Sequence, residues 1–498
     1  MKGKVYLVGA GPGDYKLMTI KGLECIKKSD VIIYDRLAND QYLKEANPNC
    51  EFIYVGKASS NHALPQDEIN ELIAKKAKEG KIVTRLKGGD PYVFGRGGEE
   101  AEILVDEDID FEVVPGITSA IGGLCYAGIP ITHREHASSF HVITGHLKDD
   151  DSGELNWNAL ANNKGTLVFL MGISNLKKIS DNLMREGKSK DTPVALISWA
   201  TRANQRVITS NLDEVYETAI KEKVKPPTLI VVGSVVNLRE KLNFFEKKPL
   251  FGKNVMVTRT RLQSSSLVEK IADLGGNPIE VPTIKIEKIE NNALLEKEIE
   301  NIKDYSYLVL TSKNAVEIFF DKLKEMKLDC RALANIKVCA VGTATAKAIA
   351  DRGINPDIVP KKFVSEELFE EIKPNLTSED KILIPRAKNA RDYLVDKLSE
   401  ICSVSEVHTY ETVIDNEMKE EILELLENES IDYITFASSS SASNFVEIIG
   451  KENIDKLDNT KIISIGPITT NTIKELKLDL HREAEEATIN SVVEALIK

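Results

Sequence analysis

The sequence predicts an α/β protein of more than one domain, and three observations carry that prediction. Short β-type runs alternate with helical stretches, beginning with a strand at residues 4–8, a helix at 19–29 and a strand at 31–34. That rhythm predicts mostly parallel sheets covered by helices. Two glycine-rich loops follow strand-like runs: Val8-Gly9-Ala10-Gly11-Pro12-Gly13-Asp14, and Lys87-Gly88-Gly89-Asp90-Pro91-Tyr92-Val93-Phe94-Gly95-Arg96-Gly97-Gly98-Glu99-Glu100. Finally, the C-terminal half repeats itself at a period of roughly 125 residues, the kind of self-similarity that sets an architecture.

At 498 residues the chain exceeds one core and predicts two to four domains. No apolar run reaches the length of a membrane span, and the opening Met1-Lys2-Gly3-Lys4 leads into a strand, not a signal peptide. The six cysteines form no C-x-x-C pair, so neither a disulfide framework nor a zinc ribbon is expected. A cytoplasmic protein is the expectation. A formal net charge of −13 argues against nucleic acid as a partner, yet leaves room for a basic pocket around a small anion.

Glycine lets backbone approach a ligand closely or adopt positive φ, so two such loops at strand ends predict a backbone-lined small-molecule cleft. The first loop is not a dinucleotide fingerprint, because Pro12 removes an amide and the wider G-x-G-x-x-G spacing is missing. After the second strand come Asp35 and Arg36, and after the third, at 52–55, comes Lys57. A carboxylate and an amine so placed make an acid/base pair or a surface salt bridge. Histidines 133, 136, 141 and 146 cluster, but their spacing matches no zinc signature, so no metal is expected. The segment Ile129-Pro-Ile-Thr-His-Arg134 reads instead as a loop presenting Arg134 to an anion. No G-x-S-x-G elbow, H-E-x-x-H or kinase set is present to support a hydrolase or phosphotransferase.

Pro226-Pro227 and a strand at 228–233 close a first unit near Leu242, and a new strand begins at 254–257, so the halves are expected at 1–245 and 250–498. Within the second half, Val255-Met-Val-Thr-Arg259 matches Ile382-Leu-Ile-Pro-Arg386. Leu308-Val-Leu-Thr-Ser-Lys-Asn-Ala315 matches Ile434-Thr-Phe-Ala-Ser-Ser-Ser-Ser441, and Ala340-Val-Gly-Thr-Ala-Thr345 matches Ser464-Ile-Gly-Pro-Ile-Thr469. Two similar α/β lobes follow, with hydroxyl-rich loops at corresponding strand ends, where helix N-termini suit anions. Val281-Pro-Thr-Ile284 aligns with Val407-His-Thr-Tyr410, which puts a phenol at 410 where its counterpart is aliphatic. Tyr410 is either an amphipathic core residue or a functional one.

At this point the residues resemble known families. Gly9-Ala-Gly-Pro-Gly-Asp14, Tyr34-Asp35-Arg36-Leu37, Gly56-Lys57, Arg85-Leu-Lys-Gly-Gly-Asp-Pro91, Gly95-Arg-Gly-Gly-Glu99, Val114-Pro-Gly-Ile-Thr118 and Thr144-Gly-His146 resemble uroporphyrinogen-III C-methyltransferase over about residues 1–245. Thr311-Ser312-Lys-Asn-Ala315, Val341-Gly-Thr343, Thr409-Tyr410-Glu-Thr412 and Ile465-Gly-Pro-Ile-Thr469 resemble uroporphyrinogen-III synthase over about 250–498, more loosely. The product of one family is the substrate of the other.

The resemblance implies a tetrapyrrole-methylase fold of two α/β lobes, binding S-adenosylmethionine through Pro12, Gly88, Gly89, Asp90, Val93, Thr118, Ser119, Met171 and Ala200. It implies Asp35 as proton acceptor, Lys57 as proton donor, and Arg96, Glu99 and Arg134 as holders of the macrocycle, with Arg96 a rival for the base. Uroporphyrinogen III would be methylated twice to precorrin-2. For the second half it implies two lobes joined by a two-stranded ladder, about 250–286 with 413–498, and 287–412. There hydroxymethylbilane would lose hydroxide and close with inversion of its last ring. Tyr410 would be the proton donor, and Thr311, Ser312, Ser438, Ser439 and Thr469 would hold substrate carboxylates. A homodimer through the methyltransferase half is also implied. Two other readings stay open: a methyltransferase acting later on precorrins, disfavoured by Arg96-Gly-Gly-Glu99 and His133-Arg134, and a non-catalytic, ligand-sensing C-terminal module.

Overall fold

The computed structural model describes residues 3–36, 39–56, 64–145, 155–258, 261–361 and 365–498. By contact the chain divides into two compact units, residues 1–255 with 267–279 and 496–498, and residues 256–266 with 280–495. Among the described residues the strands form four five-stranded sheets.

The first sheet comprises β1 (Lys4–Gly9), β2 (Val31–Tyr34), β3 (Glu51–Tyr54), β4 (Ile82–Lys87) and β5 (Asp110–Val114), ordered β3-β2-β4-β1-β5 and parallel throughout. Its strands are apolar on both faces, as helices covering both sides require. Val5, Leu7, Val31 and Ile33 enter one core, while Tyr6, Val8, Ile32 and Leu86 enter the other. The second sheet comprises β6 (Phe140–Thr144), β7 (Thr166–Leu170), β8 (Pro193–Ser198), β9 (Arg206–Asn211) and β10 (Thr228–Val232), ordered β6-β7-β10-β8-β9. Here only β6 and β7 are parallel, and the other three pairings are antiparallel. The expectation of mostly parallel sheets therefore fails for this one. β8 and β9 are joined by a short connection without a helix, and adjacent strands so joined pair antiparallel.

In the C-terminal half the sheets are β11 (Asn254–Val257), β12 (Asn277–Glu280), β18 (Tyr433–Phe436), β19 (Lys461–Ser464) and β20 (Leu480–Glu483), ordered β12-β11-β18-β19-β20, and β13 (Ile284–Lys288), β14 (Tyr307–Leu310), β15 (Lys337–Ala340), β16 (Lys381–Ala387) and β17 (Ser403–Ile414), ordered β13-β17-β16-β14-β15. The sequence repeat and the sheets are not the same division. Each sheet takes its first repeat strand, β11 or β16, from one copy and the next two, β18-β19 or β14-β15, from the other. The segments that make this exchange are the aligned pair around Thr283 and Thr409. β13 runs antiparallel to β17, with Ile284 opposite Ile414 and Lys288 opposite Tyr410.

The two glycine loops of the first sheet end at neighbouring strands β1 and β4 and clasp one another. Gly11 N–H donates to Gly89 O at 3.1 Å, and Gly89 N–H donates to Gly11 O at 2.7 Å. Both have positive φ, +75° and +70°, which glycine adopts without strain. Behind them Gly9 and Gly116 meet so closely that a Cβ on Gly116 would lie 2.2 Å from Gly89 O. Asp90 braces the second loop: its Oδ1 accepts from Tyr92 and Val93 N–H, and its Oδ2 accepts from Gly116 N–H at 3.0 Å. Tyrosines brace the first. Tyr126 donates to Asp14 Oδ2 at 2.7 Å, and the buried Tyr42 hydroxyl lies 3.1–3.2 Å from the carbonyls of Ala10, Asp14 and Tyr15.

Two outcomes follow. Gly116→Ala has nowhere to put its methyl and should cost about 1–3 kcal/mol, whereas Gly98→Ala, with nothing within 4 Å, should stay within about 1 kcal/mol of wild type in urea denaturation. Burial pushes the phenols of Tyr15, Tyr42 and Tyr126 up, Tyr15 to about 12. Unfolded tyrosines ionise near pH 10, so above that the folded state binds more protons and stability falls as pH rises toward about 12. Calorimetric melts at about pH 9, 10 and 11 should show this fall, and Tyr126→Phe should flatten it.

Candidate functional site

Because the first sheet is parallel, the loops after β1, β2 and β4 open at one edge, the carboxyl edge where open α/β sheets bind ligands. A cavity of about 880 Å³ lies there within the first unit. Pro12, Gly88, Gly89, Asp90, Val93, Thr118, Ser119, Met171 and Ala200 all line it, as do Asp35 and Arg96. The clasp has a chemical consequence. The Gly11 and Gly89 amides are spent on each other and the Asp90 carboxylate on three backbone amides, so these residues shape the wall with their backbone and do not offer those groups to a ligand.

Four non-glycine residues on this wall hold positive φ: Phe94 (54°), Arg96 (59°), Met171 (56°) and Trp199 (48°). Such conformations cost of order 1–2 kcal/mol each and concentrate where function needs a particular surface. Arg96 precedes the helix Gly97–Asp106, and its guanidinium forks onto Glu99, with Nε to Oε1 at 2.9 Å and Nη2 to Oε2 at 2.6 Å. That ion pair pushes the Arg96 guanidinium above its ordinary range and holds the Glu99 carboxyl below its own. Glu99 lines a second hollow of about 410 Å³ that shares Phe94, Arg96 and Met171 with the first.

The other residues singled out in the sequence lie away from this wall or outside the described residues. Arg134 sits exposed in the turn between His133 and Ala137 and does not line the cavity. Lys57, Leu37 and His146 lie outside the described residues. His133, Glu135 and His136 come within 4.8 Å of one another, but His141 is not of that group and lies instead 3.3 Å from Asn163 Nδ2. His133 Nδ1 accepts the Glu135 N–H at 3.2 Å.

Sequence reasoning missed several wall residues. Two guanidiniums lie over the Trp199 ring, Arg36 at 5.5 Å and Arg202 at 5.2 Å from its centre. Arg85 and Lys87 reach the cavity from β4, where alternate residues share a face. Arg85 Nη2 donates to Asp35 Oδ2 at 3.2 Å. The Arg85-Leu-Lys87 spacing could have flagged this pair, since two cations on one face of a buried strand need partners.

In the second unit the loop residues take up helix-capping geometry. Ser312 caps the helix Lys313–Glu325, its Oγ accepting from Ala315 N–H at 3.1 Å, and that same Oγ lies 2.9 Å from the Tyr410 hydroxyl. Tyr410 is only 6% exposed. Between Arg386/Ala387 and His408/Tyr410 the β16–β17 register slips by one, so Thr409 is an extra residue that re-aims Tyr410. Thr311 precedes Ser312 in this loop. In the other sheet Ser438 caps the helix Ser439–Ile449 through Ser441 N–H, and the half-buried Ser439 Oγ donates to Ile468 O. Thr469 is buried in the helix Pro467–Glu475. No helix among the described residues is long and apolar enough to cross a membrane.

Comparison with known proteins agrees with both halves. The family model for tetrapyrrole (corrin/porphyrin) methylases matches residues 4–216, and that for uroporphyrinogen-III synthase HemD matches residues 265–494. The chain is 41% identical over 497 residues to the porphyrin biosynthesis protein HemD of Ruminiclostridium josui, covering 100% of this chain and 98% of that protein. It is 42% identical over 361 residues to a uroporphyrinogen-III C-methyltransferase of Bacillus subtilis (strain 168), covering 71% and 74% of the two chains. To the uroporphyrinogen-III C-methyltransferase of Priestia megaterium it is 52% identical over 235 residues, 47% of this chain and 99% of that one. The chain thus belongs to the family of HemD porphyrin biosynthesis proteins in which a tetrapyrrole methyltransferase is fused to a uroporphyrinogen-III synthase-like half.

Proposed function

We propose that the first unit binds S-adenosylmethionine in the 880 Å³ cavity and methylates uroporphyrinogen III at C2 and C7 to precorrin-2, for sirohaem or cobalamin. The second unit, in this reading, makes that substrate by closing hydroxymethylbilane with inversion of ring D. The observation that carries the first part is that all nine expected cofactor positions, with Asp35 and Arg96, line one cavity.

The cavity suits the cofactor's parts. Leu170, Ile197, Val224 and Leu229 offer apolar wall to a purine, and the helix Ser119–Tyr126 begins at the wall, where its N-terminus favours a carboxylate. When bound, the cofactor supplies an electrophilic methyl group on a sulfonium. The protein's part is to hold the pyrrole carbon in line with that methyl and to exclude water. Asp35, half-buried at the cavity edge, takes the proton the macrocycle loses. Arg96, Arg36 and Arg202 match the carboxylates of a uroporphyrinogen, whose planar groups suit guanidinium forks. Arg134 contributes from outside the cavity, and Lys57 is the proposed donor. The homodimer expected through this unit belongs to the same proposal.

In the second unit Tyr410 protonates the departing hydroxyl, and the Ser312 hydroxyl, itself fixed by Ala315 N–H, orients it. The capped helix starts at Ser312 and Ser438 suit the substrate's carboxylates.

Arg96→Ala should weaken uroporphyrinogen binding in calorimetry far more than S-adenosylhomocysteine binding. Lost cofactor affinity with normal macrocycle binding would contradict the assignment. Tyr410→Phe should fold normally yet form the type III isomer about 10²–10⁴-fold more slowly. Product should then drift to the type I isomer that forms by uninverted closure. Chromatographic isomer analysis reads this, and full type III output would reduce Tyr410 to a packing residue.

A further inference from the structure

Beneath Asp35 lies a set of buried charges to which the reading above gives no task. Arg85 and Lys87 stand two residues apart on β4, so both side chains emerge on one face of the sheet. Glu100, in the first turn of the helix Gly97–Asp106, meets both. Its Oε1 accepts from Lys87 Nζ at 2.6 Å, from Arg85 Nε at 3.2 Å and from Gln66 Nε2 at 3.2 Å. Its Oε2 is buried with no partner, and the side chain is 0% exposed. Arg85 Nη1 donates to the carbonyls of Ile33 and Leu86, and Nη2 reaches Asp35, the member that is 27% exposed.

We propose that Glu100, Arg85 and Lys87, charge-balanced together with Asp35, form a positioning network that orients the Asp35 carboxylate and couples it to the charges beneath it. This rests on the reading of Asp35 as proton acceptor. Two cations and two anions cancel, which is what permits charges to sit in this core. A purely structural cluster would need no exit, whereas this one ends at Asp35, and Gln66, Arg85 and Lys87 line the same cavity. Burial, with Arg85 repulsion, pushes the Lys87 ammonium down, while Glu100 and Asp35 pull it up. Lys87 and Asp35 therefore sense each other, and such coupling is reciprocal. The other charged groups on the cavity wall are Arg36, Asp90, Arg96 and Arg202.

The test is the pH dependence of kcat for methyl transfer by the full chain. Glu100→Gln removes a negative charge and should move the acid limb to lower pH. Lys87→Met removes a positive charge and should move it to higher pH, each by on the order of one unit. The double variant should return the limb toward its original position. Asp35→Asn, at a half-exposed position, supplies the reciprocal reading without disturbing the core. The ¹⁵Nζ titration of Lys87 should move to lower pH. Limbs that stay put or move together, or an unmoved Lys87 titration, overturn the network. Absence of any methyl transfer by the wild-type chain would instead overturn the functional reading, and the Lys87 titration would still decide the coupling.

Discussion

The first unit depends on one close contact, the clasp in which Gly11 and Gly89 exchange backbone hydrogen bonds while Gly9 and Gly116 press against each other behind them. Strands β1 and β4 are neighbours, so their loops leave the sheet side by side. A Cβ on Gly9 or Gly116 would run into the facing backbone, and the positive φ of Gly11 and Gly89 favours glycine there. With the loops clasped, Asp90 can reach Gly116, Tyr42 and Tyr126 can hold the first loop, and a cavity opens beyond. The cost is backbone strain at Phe94, Arg96, Met171 and Trp199 and a set of buried charges under Asp35. Both are the kinds of expense that a fold accepts near a site rather than in its general core.

On the proposed reading, the two halves would recognise anions by different means. The first presents arginines, two of them over the Trp199 ring and one forked onto Glu99. The second presents hydroxyls and helix N-termini at strand ends, with Tyr410 turned by the extra residue Thr409 onto Ser312. The first half offers fixed charges, whereas the second offers neutral hydroxyls and amides spread over several loops. That difference matches how strongly each half's motifs stand out in the sequence.

Much of the architecture was legible. The strands read at 31–34 and 254–257 are β2 and β11 with their observed ends, and the repeat aligned strand, loop and helix correctly across both copies. The repeat could not reveal that its copies exchange strands, because pairing between sheets is decided by long-range contacts and not by local pattern. The antiparallel pairings of the second sheet were hidden for the same reason. The cavity wall was legible where glycine or a motif marked it. It was not legible at Trp199 or Glu100, whose roles come from tertiary proximity: a strained loop brings one forward, and a helix turn sets the other over Arg85 and Lys87. Arg134 shows the converse, a motif residue that the turn holds off the wall.

The central claim is that one chain makes a macrocycle and then methylates it. The most direct measurement is to supply hydroxymethylbilane to the full chain, with and without S-adenosylmethionine, and to identify the products by chromatography and mass spectrometry. The account predicts uroporphyrinogen III without the cofactor, and with it a type III product heavier by two methyl groups. Only the type I isomer in both cases, with added uroporphyrinogen III still methylated, would contradict it and leave the C-terminal half a non-catalytic relative of the synthase fold.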